Sequence, residues 1–222
     1  MLYRNPAQQV RPPRPPRREI KILTKKEIGI VLEAARGTEL QLPILLSLTT
    51  GVRRGELLGL RWSDIDLETG RVTVNQALER IKGKTTFKSP KTITSRRAIT
   101  LPAACVSALR EHRVHQAKQR LAMGLGRDPG GLVLARSDGE PLGPDGVSKA
   151  FKLLVEQTRV TPITFHGLRH THISHLLMEG VHVKVVSERA GHANVSITLG
   201  VYAAYIPNMQ ADAALRVDAW LR

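Results

Sequence analysis

TFHGLRHTHISH, residues 164–175, holds four of the chain's eight histidines, with Arg169 in their midst. Three readings compete for this stretch: a metal site, a phosphate site, or the surface of an ordinary helix. His166 and His170 stand at i, i+4, the spacing of two zinc ligands on one helix. Gly167 follows His166, however, where the zinc-protease pattern requires glutamate, and Arg169 would set a positive charge against a metal. Cys105 is the sole cysteine, so no cysteine pair completes a site. Read as a helix, the stretch sorts differently. His166 and Arg169 share a face, His172 lies on another side, and Leu168, Ile173 and Leu176 or Leu177 turn to a core. One histidine and one arginine then converge on an anion, while the other histidines pack or cap.

The whole chain favours an anionic partner. Its 222 residues carry 34 Lys+Arg against 19 Asp+Glu, a formal charge of +15. Nucleic acid is the usual partner for such an excess. With three Phe, three Tyr and two Trp, contact with duplex phosphates is favoured over base stacking along a single strand. No apolar run is long enough to cross a bilayer, and no signal-peptide pattern stands at the N-terminus. The lone cysteine fits a reducing cytosol.

Residues 1–19 crowd five prolines and five arginines together and read as a basic, extended linker. Thr24 and Glu27 have capping-box spacing ahead of a stripe formed by Ile28, Val31, Leu32 and Ala35, with Gly37 as a helix stop. LPILLSLTTG reads as a buried helix, and GELLGLRWSDIDL supplies Leu57, Leu58 and Leu60 to the core. The period then changes to two. RVTVNQ, KTTFK and RRAITL read as three short antiparallel strands. Helix returns from Pro102 to about Leu121, GLVLAR reads as one more short strand, and 144–159, 167–179, 183–190 and 207–221 read as helices. The expected fold is α+β, mostly helical with a small three-stranded antiparallel sheet.

Three further stretches bear on chemistry. In TTGVRRGELLGLRW, Gly51 permits a tight turn that sets Arg53 and Arg54 at a helix start, where guanidinium and free backbone N–H groups suit an anion. Glu56, one turn on, is placed to hold an arginine. In KSPKTITSRRAITLP, Lys88 and Lys91 sit at the turn of a hairpin that Arg96 and Arg97 flank; a lysine there can protonate a leaving oxygen, or the hairpin is simply a basic DNA contact. In ERAGHANVSITLGVYAAY, His192 follows Gly191, with Tyr202 and Tyr205 beyond. Phenol is a poor nucleophile at neutral pH, but surrounding cations favour phenolate.

TGVRRGE, PKTITSRR, HGLRHTH, AGH and TLGVY occur in this order over residues 20–206. Together they closely resemble the signature of the tyrosine recombinases, the phage-integrase family of site-specific DNA recombinases: Arg, Lys, His-x-x-Arg, Gly-His, Tyr. The resemblance implies that Arg53 and Arg169 clamp the phosphate and that Glu56 accompanies Arg53. His192 would donate to the phosphate, and His166 would accept the tyrosine proton or orient the phosphate. Lys91, ahead of Lys88, would protonate the leaving 5′ oxygen. Tyr202 would attack phosphorus, with Tyr205 three residues late. Such transesterification needs no metal, ATP or other cofactor. Arg54, Lys88, Arg96 and Arg97 are expected to contact DNA. Ala190 stands where the family more often has leucine, which is expected to loosen packing, and Gly200 is expected to loosen the tyrosine segment.

The same resemblance divides the chain into a linker (1–19), a catalytic domain (20–206) and a tail helix (207–222). YRNPA resembles the end of the family's core-binding domain, which is expected to be absent. The tail, with Ala211, Leu215, Val217 and Trp220, would pack on its own domain or dock on a neighbouring protomer. The implied partner is double-stranded DNA, bound as a tetramer on paired sites by a protein that is a monomer alone. A cytoplasmic, nucleoid-associated protein of prokaryotic or phage origin is expected. The alternatives are a DNA-binding remnant that no longer cleaves and an enzyme like a type IB topoisomerase.

Overall fold

Helix α1, Lys25–Ala34, starts where the capping box requires it. In the computed structural model, which describes residues 20–81, 83–89, 96–126, 128, 131–207 and 210–220, the Thr24 hydroxyl accepts from the Glu27 N–H and the Glu27 carboxylate accepts from the Thr24 N–H at 2.8 Å. Glu27 Oε1 also accepts from the N–H and hydroxyl of Thr161, at 2.6 and 2.8 Å. The cap therefore ties the start of the fold to the loop at residues 160–164. Helix α2, Gln41–Thr50, is apolar nearly all round and lies inside, burying Leu42, Ile44 and Leu46. It ends at Gly51, whose φ of 65° is left-handed and whose absent Cβ would lie 2.4 Å from the His172 ring. Helix α3, Arg54–Leu58, follows at once and buries Leu57 and Leu58.

The strands form two ladders. β1 (Ile65–Asp66), β2 (Arg71–Thr73) and β5 (Ala98–Thr100) make an antiparallel sheet in the order β1-β2-β5, with buried Val72 opposite buried Ile99. β3 (Ala77–Ile81) and β4 (Lys84–Lys88) make a separate antiparallel hairpin. A three-stranded antiparallel sheet is present, but KTTFK is not part of it. That strand pairs with ALERI, whose Glu79 and Arg80 break the alternation, and every residue of β4 is exposed, so no buried face marked the pairing. GLVLAR contributes only isolated bridges, Arg61 to Leu132 and Ala135 to Pro141.

The remaining helices are α4 (Ala103–Ala122), α5 (Pro144–Thr158), α6 (Phe165–Met178), α7 (Val183–Ala190), α8 (Val195–Tyr202) and α9 (Gln210–Trp220). The main core runs from Leu23 to Leu168 and includes Phe151 edge-on to Phe165. A smaller cluster joins Ile173, Leu177, Val186, Ala190 and Tyr202. α6 supplies residues to both clusters, so the HGLRHTH stretch is anchored at the seam between them. α8 carries low helix propensity, with Val195, Ile197, Thr198, Val201 and Gly200 in eight residues, and its period announces no helix. It forms because Asn194 caps it, accepting from the Ser196 N–H at 2.9 Å, and because Thr198 and Tyr202 are buried. On α9, Leu215, Val217 and Trp220 are exposed. Among the described residues no helix is long and apolar enough to cross a membrane.

Candidate active site

Arg53 is the N-cap of α3. Its N–H donates to Glu56 Oε2 at 2.8 Å and its Nη1 to Oε1 at 3.0 Å, so the backbone donor expected to await an anion is already satisfied. Nη2 donates to the Gly191 carbonyl at 3.0 Å. Glu56 holds a second arginine as well: Arg97 Nη2 reaches Oε2 at 2.8 Å and Nη1 reaches Oε1 at 3.3 Å. Arg97 Nε donates to the Arg189 carbonyl at 2.9 Å. Burial raises the Glu56 carboxyl, but Arg97 and then Arg53 outweigh it and hold the group below its usual range. The Arg97 side chain is 7% exposed. It lies against Glu56, held between the start of β5 and the end of α7.

Arg169, on α6, is 3% exposed and points one nitrogen at two carbonyls, Gly51 at 2.6 Å and Ala190 at 2.7 Å. Burial, then the charge of Arg53, pushes it down to about 10, and it remains a cation at neutral pH. The end of α7 explains why the two arginines meet. Helix C-termini leave carbonyls without intrahelical partners. Here Ala190 and Gly191 give theirs to Arg169 and Arg53. Gly191 has φ 68°, and a Cβ on it would lie 2.5 Å from Arg97 Nη1, so this turn also requires glycine.

His192 comes next. Its Nδ1 lies 2.7 Å from Thr198 Oγ1, and burial followed by Arg169 and Arg53 pushes the ring down to about 4. Its ring stacks near Tyr202, with centroids 6.4 Å apart. Tyr202 is 2% exposed, and its hydroxyl lies 2.6 Å from His170 Nδ1. Arg169 favours phenolate, as the sequence suggested, but it is not the larger influence. Burial outweighs Arg169 and pushes the phenol up to about 12. His170 meets His166 edge-on at 4.8 Å. His166 is exposed, and partial loss of water around its ring, then His170, Arg169, Arg53 and Arg54, pushes it down to about 4.

Five candidates from distant parts of the chain, Arg53, His166, Arg169, His192 and Tyr202, are thus linked by direct contacts or through one shared neighbour. Other candidates lie elsewhere. Arg54 donates to the Pro144 carbonyl at 3.0 Å and bonds Ser148, tying α3 to α5. Lys88 pairs with Glu79 across the β3–β4 hairpin. Arg96 is exposed. Lys91 lies outside the described residues. Tyr205 donates to the Ile20 carbonyl at 2.7 Å. His172 and His175 bond the Leu48 and Leu23 carbonyls, packing and capping. Sequence reasoning grouped His170 with these; the available signals were its place beside Arg169 and its i, i+4 spacing from His166, which was weighed only for metal.

A profile described as the phage integrase family matches residues 21–208. A "Tyrosine recombinase XerC-like" protein of Caldanaerobacter subterraneus subsp. tengcongensis is 34% identical over 88% of this chain and 53% of its own length. An integrase of Streptomyces ambofaciens is 32% identical over 90% of this chain and 53% of its own length. The chain spans about half the length of these curated relatives. Among solved structures, the Tn1549 transposon integrase in complex with circular intermediate DNA shares the fold with a TM-score of 0.73 at 22% identity, over 92% of this chain and 68% of that one. XerA recombinase gives a TM-score of 0.65 at 22% identity, over 94% and 66%.

Proposed function

We propose that this chain, which belongs to the phage integrase family, is the part of a site-specific tyrosine recombinase that cleaves and rejoins double-stranded DNA through a 3′-phosphotyrosine link. One observation carries the reading: Arg53 and Arg169 are bonded to the successive carbonyls of Gly191 and Ala190, directly before His192, whose ring stacks beside Tyr202. Two cations, an imidazole and a phenol can together carry out a phosphodiester displacement.

The chemistry follows from these groups. Displacement at phosphorus concentrates negative charge on the non-bridging oxygens, and two fixed guanidinium groups stabilise that charge more than they stabilise the ground state. Removing one such donor costs on the order of 10²–10³-fold in rate. With Nδ1 engaged by Thr198, His192 offers Nε2 to a phosphate oxygen. Exposed His166 faces the same charge. Tyr202 attacks phosphorus, and Lys91, with Lys88 as the lesser claimant, protonates the 5′ oxygen. The bond energy is kept in the phosphotyrosine, so rejoining requires no ATP. Glu56 and Arg97 position Arg53. On DNA the working form is a tetramer on paired sites, with the protein a monomer alone. The exposed Leu215, Val217 and Trp220 of α9 favour a tail that docks on a neighbouring protomer.

A phenol that is 2% exposed also suits a second reading, a domain that binds DNA without cutting it. Covalent capture separates the two. The protein is mixed with nicked suicide duplexes of randomised sequence, denatured in SDS and run beside Tyr202→Phe and Tyr205→Phe. An SDS-resistant adduct lost only in Tyr202→Phe is expected. Salt-sensitive binding with no adduct would support the binding module instead.

A further inference from the structure

We infer that His170 is a further catalytic residue of this site, its Nδ1 taking the phenol proton as Tyr202 attacks, so that His166 is left to the phosphate. This rests on the reading of Tyr202 as the nucleophile. His170 Nδ1 lies 2.6 Å from Tyr202 Oη, within the range over which a proton passes along an existing hydrogen bond. With the phenol donating, Nδ1 is the acceptor and the neutral ring carries its proton on Nε2. His166, for which the family resemblance implied either this role or the orienting of the phosphate, stands one ring further off, edge-on to His170 and exposed. Its position suits a group that meets incoming DNA, and that of His170 suits one that serves the phenol.

The surroundings agree. His170 is held by α6, which is anchored in both core clusters. His166 and Arg169 face it from its own helix. Tyr202 faces it from α8, with His192 behind and Tyr205 at the next turn. Burial, then Arg169, keeps the imidazole below the ordinary histidine value, so it is neutral at neutral pH. None of these neighbours is a carboxylate. An imidazolium formed here is therefore held weakly and returns its proton when the reaction reverses. Because the resting phenol is the weaker acid of the pair, the proton leaves with the attack rather than before it.

The step balances. The Tyr202 O–H bond breaks as an N–H bond forms on His170. The Tyr202 Oη–P bond forms as the P–O5′ bond breaks, and the leaving oxygen takes its proton from the lysine proposed above. Rejoining reverses each change.

The test is single-turnover cleavage of the suicide duplex from pH 5 to 9 by wild type, His170→Asn and His170→Ala, each checked by thermal melting. Asparagine can accept the phenol's hydrogen bond but cannot take its proton. Both variants are expected to cleave on the order of 10²-fold more slowly at pH 7.5. The wild-type rise in rate with pH that His170 supplies as it loses its proton should be absent in both and replaced by a rise with hydroxide up to pH 9. Cleavage by His170→Asn within threefold of wild type, with the wild-type profile, would overturn the inference and leave His170 a mere holder of the ring. Should His170→Asn melt early, His170→Ala with added imidazole is read instead. Recovery of tenfold or more, not shared by Tyr202→Phe, is expected, and no recovery overturns the inference. Failure of the parent reading looks different, because wild type itself would form no adduct.

Discussion

Arg97 holds both carboxylate oxygens of Glu56, at 2.8 and 3.3 Å, from a position 7% exposed, and the same carboxylate fixes Arg53. Removing one partner of a buried ion pair typically costs about 3–5 kcal/mol, because the other charge is left uncompensated. Arg97→Ala should therefore lower stability by about 3 kcal/mol and weaken adduct formation through a misplaced Arg53. Arg97→Lys keeps the charge but not the two-pronged geometry and should recover only part of both. Urea melts and the salt dependence of duplex binding check this. A buried positioning role leaves the salt slope unchanged, whereas a surface phosphate contact would reduce it by about 1.

How much the sequence disclosed followed from where the relevant physics was local. The Thr24–Glu27 box, the left-handed turn at Gly51 and the 183–190 helix depend on neighbours a few residues apart, and all were readable. The partner of β4 was misread and α8 was missed for the opposite reason. β4 has no buried face, and α8 is helical only because Thr198 and Tyr202 find a core supplied by α6 and α7. The residue types at the site were legible as separated motifs. That Arg97 would be buried, and that His170 rather than His166 would meet Tyr202, depended on contacts across 41 and 32 positions of chain.

Binding of DNA should take up protons. His166 and His192 are pushed down to about 4 in the free protein, by loss of water and by neighbouring arginines. A bound phosphate supplies the missing negative charge and raises both. Between about pH 4 and 6.5, affinity for duplex should rise as pH falls, and calorimetry in buffers of different ionisation heat should register proton uptake. His166→Gln with His192→Gln should abolish most of it. Stability alone moves the other way. Both rings have folded-state values below the ordinary 6.5, so their contribution is full above pH 6.5 and is lost as pH falls toward 4. A free protein whose melting temperature is flat over that range would contradict these assignments.

Glu27 anchors the start of the fold through the groups of Thr24 and Thr161. Glu27→Ala should cost about 2 kcal/mol, a lost cap plus a lost long-range tie. The carboxyl sits at about 2, lowered chiefly by the Thr24 backbone hydrogen bond. Because that is below its ordinary value, its contribution is present above about pH 4.5 and is lost as pH falls toward 2. Glu27→Gln should flatten this acid limb in urea melts at pH 7, 4 and 3; an unchanged limb would assign it to other carboxylates.

The central claim is that Tyr202 becomes covalently joined to DNA, and mass spectrometry of a trapped adduct tests it most directly. Wild-type protein is captured on a suicide duplex, digested with nuclease and trypsin, and the peptide spanning residues 190–216, which contains both Tyr202 and Tyr205, is fragmented. A nucleotide 3′-phosphate on Tyr202 is predicted. The same mass on Tyr205, or an unmodified peptide from protein that still binds duplex, would contradict it.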